Sequence, residues 1–237
     1  MKLIQVIRAV LNPLKLDLKI YPREDFRRRI LLIKTNGINK ILDVGANSGQ
    51  YAQQIFDLGF SGKILSFEPV PSIYKKLLKN SSKKTNWEAF NFGLGNKDVE
   101  LDINISENTY STSLLKIMPN HVKSAPESKV VSTEKVIIKK LDTIFDEVVD
   151  DQDSVLLKID VQGFEKNVLE GAENTLRKIK GIQIEMSIEE LYQNETLFSE
   201  MLVYIESLGF SLHSLENGFY NSKTGKLLQV DGVFFRK

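Results

Sequence analysis

The feature that most constrains the fold is a strand–helix rhythm that begins at residue 40. Short apolar runs alternate with stretches whose apolar residues recur at three- and four-residue spacing. We expect strands at 40–44, 63–67 and 87–92, separated by helices at 50–58 and 72–79. Strands that alternate with helices at this spacing predict an α/β fold whose sheet is parallel and whose crossovers are right-handed.

The later part of the chain continues this pattern and changes strand direction near its end. The run at 99–105 alternates apolar and polar residues, as an antiparallel or edge strand does. Residues 106–128 are rich in Ser, Asn, Thr and Pro, which predicts a lid or binding loop, or else a disordered segment. The remaining elements are expected as strands at 135–140, 155–160 and 182–186, helices at 141–149, 166–180 and 197–208, and a hairpin-like pair at 211–215 and 229–236.

Two helices, expected near 3–11 and 23–34, precede the α/β pattern. Residues 1–36 are therefore expected to form a helical extension, and residues 37–237 one domain. The chain has no Cys, which excludes a disulfide framework, a thiolate metal site and a cysteine nucleophile. No run reaches the roughly 18 apolar residues of a membrane span. Together with the lack of Cys, this predicts a cytoplasmic location.

The charge is distributed unevenly along the chain. Residues 1–40 contain ten Lys and Arg and three acids, a net charge of +7, which leaves −6 for the rest because the total is +1. A basic segment of this kind can bind nucleic acid, anionic lipid or an acidic substrate, or can be the solvated face of a surface helix. Contact of an amphipathic N-terminal helix with a membrane surface is one of the alternatives that this leaves open.

A glycine-containing turn lies between the first strand and its helix, in the stretch ILDVGANSGQY at 41–51. Gly45 and Gly49 permit positive φ and close backbone approach, and Asn47 tolerates the left-handed region. Such a turn is expected to direct free backbone amides to the edge of the sheet where doubly wound folds bind ligands. Glu68 ends the second strand, where an acid accepts hydrogen bonds from ribose hydroxyls. The pair predicts a nucleotide-like ligand.

The charge near the turn bears on which ligand is bound. The turn has no Lys or Arg, so it is not a Walker loop. Asp43 lies two residues before Gly45, where its carboxylate would repel a pyrophosphate and attract the ammonium of S-adenosylmethionine. These charges favour S-adenosylmethionine over NAD. A tight turn whose glycines serve packing alone is the alternative.

A second acidic position follows the apolar run of VLLKIDVQGFEKNVLEGA at 155–172. Asp160 falls at the carboxyl end of the fourth parallel strand, at the same edge as Asp43 and Glu68. Carboxylates at the ends of buried strands are costly unless they contact a ligand or a partner group. Glu185, at the end of the strand IQIEM, adds another carboxylate to this edge.

Taken together, these motifs resemble the FkbM-type methyltransferase family. The matching stretches cover roughly residues 38–237 and are LDVGANSGQYA, ILSFEPVP, NFGLGN, LLKIDVQGFEKNVLEGA, IQIEMS and QVDGVFF. The resemblance implies a Rossmann-like, doubly wound class I methyltransferase sheet, mostly parallel with an antiparallel C-terminal strand. It also implies S-adenosylmethionine as methyl donor, and a hydroxyl of a sugar, glycan precursor or other small natural product as acceptor.

The resemblance also implies roles for single residues. The cofactor positions are Asp43, Gly45, Ala46, Asn47, Gly49, Glu68, Pro69 and Gly93, with Asp160 beside the transferred methyl group. Many members of the family have Glu-Gly-His where this chain has Gln162-Gly163-Phe164, so a histidine base is absent there. Asp160 and Glu185 are the candidates for base or for orienting the acceptor. His121, in the 106–128 stretch, is a third candidate.

Several alternatives stay open at this point. A divalent cation held by these carboxylates would also lower the pKa of an acceptor hydroxyl. Three other functions are alternatives. They are an RNA methyltransferase that docks through residues 1–40, a non-catalytic cofactor-binding protein and an NAD-dependent oxidoreductase. Nucleic acid is disfavoured because the basic segment offers few aromatic stacking positions beyond Tyr21 and Phe26. The oligomeric state cannot be inferred from the sequence.

Overall fold

The structure, a computed structural model, describes residues 2–15 and 21–237. The helices are α1 (Lys2–Leu11), α2 (Glu24–Thr35), α3 (Gln50–Asp57), α4 (Pro71–Ser81), α5 (Pro119–Ser124), α6 (Leu141–Val148), α7 (Glu165–Glu170) and α8 (Phe198–Ser207). The strands are β1 (Lys40–Val44), β2 (Lys63–Phe67), β3 (Trp87–Phe90), β4 (Gly93–Leu94), β5 (Val99–Ser106), β6 (Val130–Lys139), β7 (Val155–Ile159), β8 (Gly181–Ser187), β9 (Phe210–Asn217) and β10 (Gln229–Arg236). Residue 1 and residues 16–20 of the expected extension lie outside the described residues.

A seven-stranded sheet runs through the centre of the molecule in the order β3-β2-β1-β7-β8-β10-β9. The first five strands in this order are parallel, and β10 is antiparallel to both of its neighbours. The expected Rossmann-like sheet with an antiparallel C-terminal strand is therefore confirmed. Because the strand order reverses between β1 and β7, their connections diverge and leave a crevice at the carboxyl edge of the sheet.

Helices cover both faces of this sheet. Ile41 of β1 packs with α2, α3 and α4 on one face, whereas its neighbour Leu42 packs with α6, α7 and α8 on the other. All five residues of β1 and all five of β7 are buried. Strands buried on both faces read as continuous apolar runs, which is why these two strands stand out in the sequence.

A second, three-stranded sheet of order β4-β6-β5 lies beside the crevice. Its inner side chains, among them Ile103, Ile105, Val136 and Ile138, pack against Val70 and Ile73 at the start of α4. β5 is its antiparallel edge strand, as the alternation at 99–105 predicts. The sequence did not predict the sheet itself, since the first residues of β6 are exposed and polar in part.

Four expected elements differ most from the observed ones. The strand expected at 87–92 ends at Phe90, and the strand expected at 135–140 begins at Val130. The segment 106–128 is not irregular throughout, because it contains α5 and a short 3-10 turn. The helix expected at 166–180 ends at Glu170 instead. A Cβ on Gly171 would lie 1.8 Å from the carbonyl oxygen of Gly95, so the neighbouring chain packs directly against the end of α7. Asp142 then accepts hydrogen bonds from the backbone amides of Asn174 and Thr175 and fixes a separate turn.

Helix α2 shares the core of the sheet. Ile33 is buried beside Ile41 and Ile55, and the Arg29 guanidinium pairs with Glu216 of β9 inside the protein. Arg29 also donates to the side-chain oxygen of Gln54 in α3 at 3.0 Å. We therefore propose that the boundary expected at residue 36 does not separate two folding units.

Replacement of Ile33 by alanine tests this view of α2. Ile33 is 1% exposed, so its truncation leaves a cavity in the core and is expected to lower the free energy of unfolding by about 2–4 kcal/mol. Leu31 in the same helix is 60% exposed, and Leu31→Ala is expected to change it by less than about 0.5 kcal/mol. Urea denaturation of both variants makes the comparison. Equal, small effects would show that α2 is an appendage.

Candidate active site

A cleft of about 250 Å³ opens at the carboxyl edge of the sheet, between the ends of β1 and β7. Seven of the residues that the sequence proposes for the site line its wall: Gly45, Asn47, Glu68, Pro69, Gly93, Asp160 and Glu185. Other lining residues come from β5, from the segment after it and from the turn after β7: Ile103, Thr109, Tyr110, Thr112, Leu114, Val161, Gln162 and Phe164. The structure thus brings most of the predicted positions together.

The glycine turn after β1 is held by the end of β2. Gly45 has φ +76°, and a Cβ there would lie 1.8 Å from the carbonyl oxygen of Asp160, so only glycine lets the two turns approach. The amides of Gly45 and Ala46 donate to the Phe67 carbonyl at 3.1 and 3.0 Å. The expectation of free amides is therefore wrong for these two residues. A turn whose amides are occupied in this way offers little to a pyrophosphate.

Asp43 lies below the cleft and not on its wall. Its side chain is fully buried, with Oδ1 3.1 Å from Lys158 Nζ and Oδ2 accepting from the Ser66 hydroxyl at 3.1 Å. Burial lowers the pKa of Lys158, but the Asp43 and Asp160 carboxylates outweigh it and raise that pKa above its usual range. Asp43 thus pairs with the ammonium of Lys158 inside the protein. The expected contact of Asp43 with the ammonium of the cofactor does not fit this position.

Glu68 reaches the cleft from the end of β2. Its Oε1 accepts from the Val70 amide at 2.9 Å and its Oε2 from the Asn47 amide at 3.0 Å. The side chain is 6% exposed, and burial raises its pKa to about 7 although both amide bonds favour the charged form. A carboxylate has about four acceptor positions. Glu68 therefore retains capacity for two further donors, such as a pair of hydroxyls.

Gln162 links the carboxylates on the opposite wall. Its Nε2 donates to Asp160 Oδ1 and to Glu185 Oε2, both at 2.8 Å, and the Tyr192 hydroxyl donates to its Oε1 at 2.5 Å. Lys158 Nζ lies 3.6 Å from the other oxygen of Asp160. Asp160 is thus held from two sides. This role of Gln162 was not predicted from the sequence, although its place between Asp160 and a glycine in the turn after β7 points to it.

Glu185 stands in an acidic environment. Its Oε2 also accepts from Gln229 Nε2 at 2.8 Å, and Asp231 lies directly across from it in β10. Burial and the negative charges of Asp160 and Asp231 raise the pKa of Glu185 well above its usual value. Burial and Asp160 likewise raise the pKa of Asp231 to about 6. Glu185 lines the cleft beside Asp160, and its raised pKa means that its carboxylate holds a proton more strongly than an ordinary glutamate does.

Besides Asp43, three predicted positions lie outside the cleft wall. His121 is buried behind the Tyr192 ring, with ring centroids 5.1 Å apart, and burial lowers its pKa to about 4. The proposed base at His121 therefore does not fit this geometry, because the neutral imidazole does not reach the cleft. Ala46 lies in the core beneath the turn. Gly49 begins α3, and a Cβ there would lie 2.4 Å from the Trp87 ring.

The buried Glu165, at the start of α7, shapes the turn after β7. Its Oε1 accepts from the amides of Val161 and Gly163 at 3.0 and 3.2 Å.

Within the described ranges 2–15 and 21–237, no three His, Asp or Glu side chains are arranged to hold a metal ion. No ligand set for the divalent-cation alternative is therefore assigned.

The cleft suits a cofactor with a ribose and a small cationic centre. Glu68 is an acceptor at the end of β2, while Ile73 and Leu94 provide an apolar wall beside it. At Gly93 a Cβ would lie 2.8 Å from Ile138, so the glycine lets β4 approach β6 at the edge of the cleft. Fold and cleft together define a class I methyltransferase that depends on S-adenosylmethionine.

Comparisons with known proteins give the family. The sequence pattern described as "Methyltransferase FkbM domain" matches residues 43–212, which is most of the chain, so the protein belongs to the FkbM methyltransferases. It is 25% identical over 162 residues to the "2-O-methyltransferase NoeI" of Sinorhizobium fredii, covering 65% of this chain and 66% of that protein. It is 25% identical over 183 residues to the "Methyltransferase 1" of Beauveria bassiana, covering 73% of this chain and 72% of that protein.

A solved structure agrees with this fold. The fibrillarin/Nop5p complex contains a chain that superposes with a TM-score of 0.51 at 14% sequence identity, covering 90% of this chain and 82% of that one. At this identity the likeness concerns the fold alone. The family and the fold imply S-adenosylmethionine as the methyl donor.

Proposed function

We propose that this methyltransferase acts on a hydroxyl of an uncharged sugar or a similar small polyol. The observation that carries the proposal is that the cleft wall holds acidic side chains and no cationic one. Glu68, Asp160 and Glu185 line it, and none of the lining residues that the structure describes is Lys, Arg or His. A phosphate or carboxylate close to the reacting hydroxyl would find no cationic partner there. The relative NoeI is named a 2-O-methyltransferase, which supports transfer to oxygen.

The three acidic residues of the cleft have different roles in this reaction. S-adenosylmethionine supplies an already activated methyl group, so the protein must align the acceptor oxygen and take its proton. Glu68 binds the ribose hydroxyls of the cofactor. Asp160, held by Lys158 and Gln162, orients the acceptor hydroxyl. Glu185, whose pKa is raised by burial and by Asp160, receives the proton.

Two other functions remain as outcomes of a test. An RNA methyltransferase must place the phosphates of its substrate near the reacting nucleotide, and the described part of the cleft wall offers them no cation. A cofactor-binding protein without activity would bind S-adenosylhomocysteine but methylate no acceptor.

The Asp160→Ala variant tests the assignment. Incubation with S-adenosylmethionine and a panel of neutral sugars, their phosphorylated counterparts and RNA is followed by measurement of S-adenosylhomocysteine formation. We expect turnover with a neutral sugar, reduced about a hundredfold or more in Asp160→Ala, with S-adenosylhomocysteine affinity within about threefold. Asp102→Ala, at an exposed acid of β5, is the control and should be unaffected. Turnover confined to RNA or to phosphorylated sugars would contradict the proposal.

A further inference from the structure

The two helical layers carry opposite charge. Segments 21–39, 50–62 and 71–86, which include α2, α3 and α4, contain ten Lys and Arg and three acids, a net charge of +7. On the other face of the sheet, segments 140–154, 164–180 and 197–209, which include α6, α7 and α8, contain five Lys and Arg and eleven acids, a net charge of −6. The molecule therefore has a strong electrostatic dipole across its sheet, and we call the α2–α4 side the basic face.

The cations of the basic face are exposed and mostly unpaired. Lys75, Lys76 and Lys79 of α4 are exposed to solvent, as are Lys83 and Lys84 just after it. No Asp or Glu occurs from residue 71 to residue 87. No carboxylate of the residues that the structure describes forms an ion pair with these five lysines. Their positive charge is thus available to an external anion.

Helix α1 and the 3-10 turn after it add an apolar stripe to this basic region of the chain. Val6 and Val10 of α1 and Leu14 of the turn follow each other at four-residue spacing and are 60%, 66% and 66% exposed. The sequence from residue 1 to residue 16 contains cations and no acid. Exposed aliphatic residues at helical spacing, in a segment that contains cations and no acid, are typical of helices that lie in a membrane interface. None of the helices in the described parts of the chain is long and apolar enough to cross a bilayer.

We propose that the basic face and α1, which precedes α2 of that face in the chain, both bind an anionic lipid bilayer. In this arrangement Val6, Val10 and Leu14 enter the headgroup region, and the α4 lysines lie against anionic headgroups. A nucleic acid would also attract the lysines, but it would gain nothing from an aliphatic stripe, whereas a bilayer uses both. Binding of the bilayer by these two elements does not require a particular acceptor in the cleft.

The position of α4 connects this surface to the cleft. Pro69 and Ile73 line the cleft wall, and α4 begins at Pro71 between them. The basic helix thus starts at the edge of the cleft. Docking of α4 on a bilayer brings that edge close to the headgroup layer, so an acceptor held at the membrane surface comes within reach.

Vesicle co-sedimentation of the full chain tests the proposal. Phosphatidylcholine vesicles that contain about one third phosphatidylserine are compared with pure phosphatidylcholine vesicles, at low and at high salt. We expect about tenfold or stronger binding to the anionic vesicles. Removal of three charges in Lys75→Ser/Lys76→Ser/Lys79→Ser should weaken it by about tenfold or more. The matched control Lys166→Ser/Lys178→Ser/Lys180→Ser changes the net charge equally on the acidic side, and should bind within about twofold of the unmodified protein.

A second triple variant measures how much the apolar stripe contributes to vesicle binding. Val6→Ser/Val10→Ser/Leu14→Ser should lose the binding to anionic vesicles that persists at high salt, since salt screens the lysines but not the stripe. Equal losses in the two lysine triples, or equal binding to both kinds of vesicle, would overturn the proposal. So would binding of single-stranded RNA through the same lysines without binding of vesicles. Affinity for S-adenosylhomocysteine should be unchanged throughout, which keeps this test separate from that of the methyltransferase activity.

Discussion

Replacement of Glu68 by alanine is expected to weaken the binding of S-adenosylhomocysteine by about a hundredfold or more. Each hydrogen bond from a ribose hydroxyl to a buried carboxylate contributes about 1.5–3 kcal/mol, and Glu68 has acceptor capacity for two. The variant also leaves the amides of Asn47 and Val70 without their present acceptor, which loosens the turn beside the ligand. Calorimetric titration of the purified protein measures the loss.

Glu88→Ala is the matched control for this experiment. Glu88 lies on the neighbouring strand β3, is exposed, and pairs at the surface with Lys63 at 2.6 Å. Its removal should leave the affinity for S-adenosylhomocysteine unchanged. If Glu68→Ala and Glu88→Ala both bound within threefold of the unmodified protein, the ribose assignment of Glu68 would be wrong.

The pH dependence of the same affinity follows from the pKa of Glu68, which burial raises to about 7. Hydroxyl donors require the charged carboxylate, so binding at lower pH must first remove a proton. We expect the affinity to fall as the pH decreases from about 8 to about 6, approaching a tenfold loss per pH unit below the pKa. In Glu68→Gln the affinity should be lower and should lack this dependence. A wild-type affinity that is flat over this range would contradict the assignment.

Lys158→Met is expected to lower the free energy of unfolding by about 3–5 kcal/mol, as measured by urea denaturation. The substitution leaves the carboxylate of Asp43, which is fully buried, without its cation. Asp160 loses a second contact at the same time. An uncompensated buried charge is among the most destabilising changes that a single substitution can make.

Two further variants serve as a rescue and a control for Lys158→Met. The double variant Lys158→Met/Asp43→Asn removes both charges and should recover most of the lost stability, because a neutral amide at position 43 can still bond to Ser66. Lys178→Met breaks an exposed pair with Asp146 and should leave the free energy of unfolding nearly unchanged, because solvent screens such pairs. Lys158 would not be the structural partner of Asp43 if Lys158→Met resembled Lys178→Met, or if Asp43→Asn gave no recovery.

The central sheet was predictable because its strands are buried on both faces. β1 and β2 begin and end at the expected residues, and β7 ends one residue before the expected limit. A continuous apolar run bounded by Gly, Pro or Asp has few other structures open to it. The positions of Glu68 and Asp160 followed, since the carboxyl ends of parallel strands meet at one edge.

The pairing of distant side chains was not predictable from local patterns. The sequence predicts a cofactor contact for Asp43 because its true partner, Lys158, lies far away in sequence, although a lysine inside the apolar run of β7 already required a nearby acid. The local composition predicts that His121 lies in a lid, a binding loop or a disordered segment, whereas α5 places it against Tyr192. The β4-β6-β5 sheet depends on contacts between separate segments, which periodicity does not report.

The place of β10 in the sheet has a consequence for biosynthesis. β10 follows β9 in the chain yet lies between β8 and β9, so β9 has no neighbour in the sheet until residues 229–236 have been made. Gln229 and Asp231, which lie next to Glu185, are part of β10. A chain without β10 therefore has an open edge at β8 and lacks two of the side chains around Glu185. Truncated chains that end before residue 229 should expose β8 and β9 to chaperones, and closure of the sheet should coincide with completion of the site.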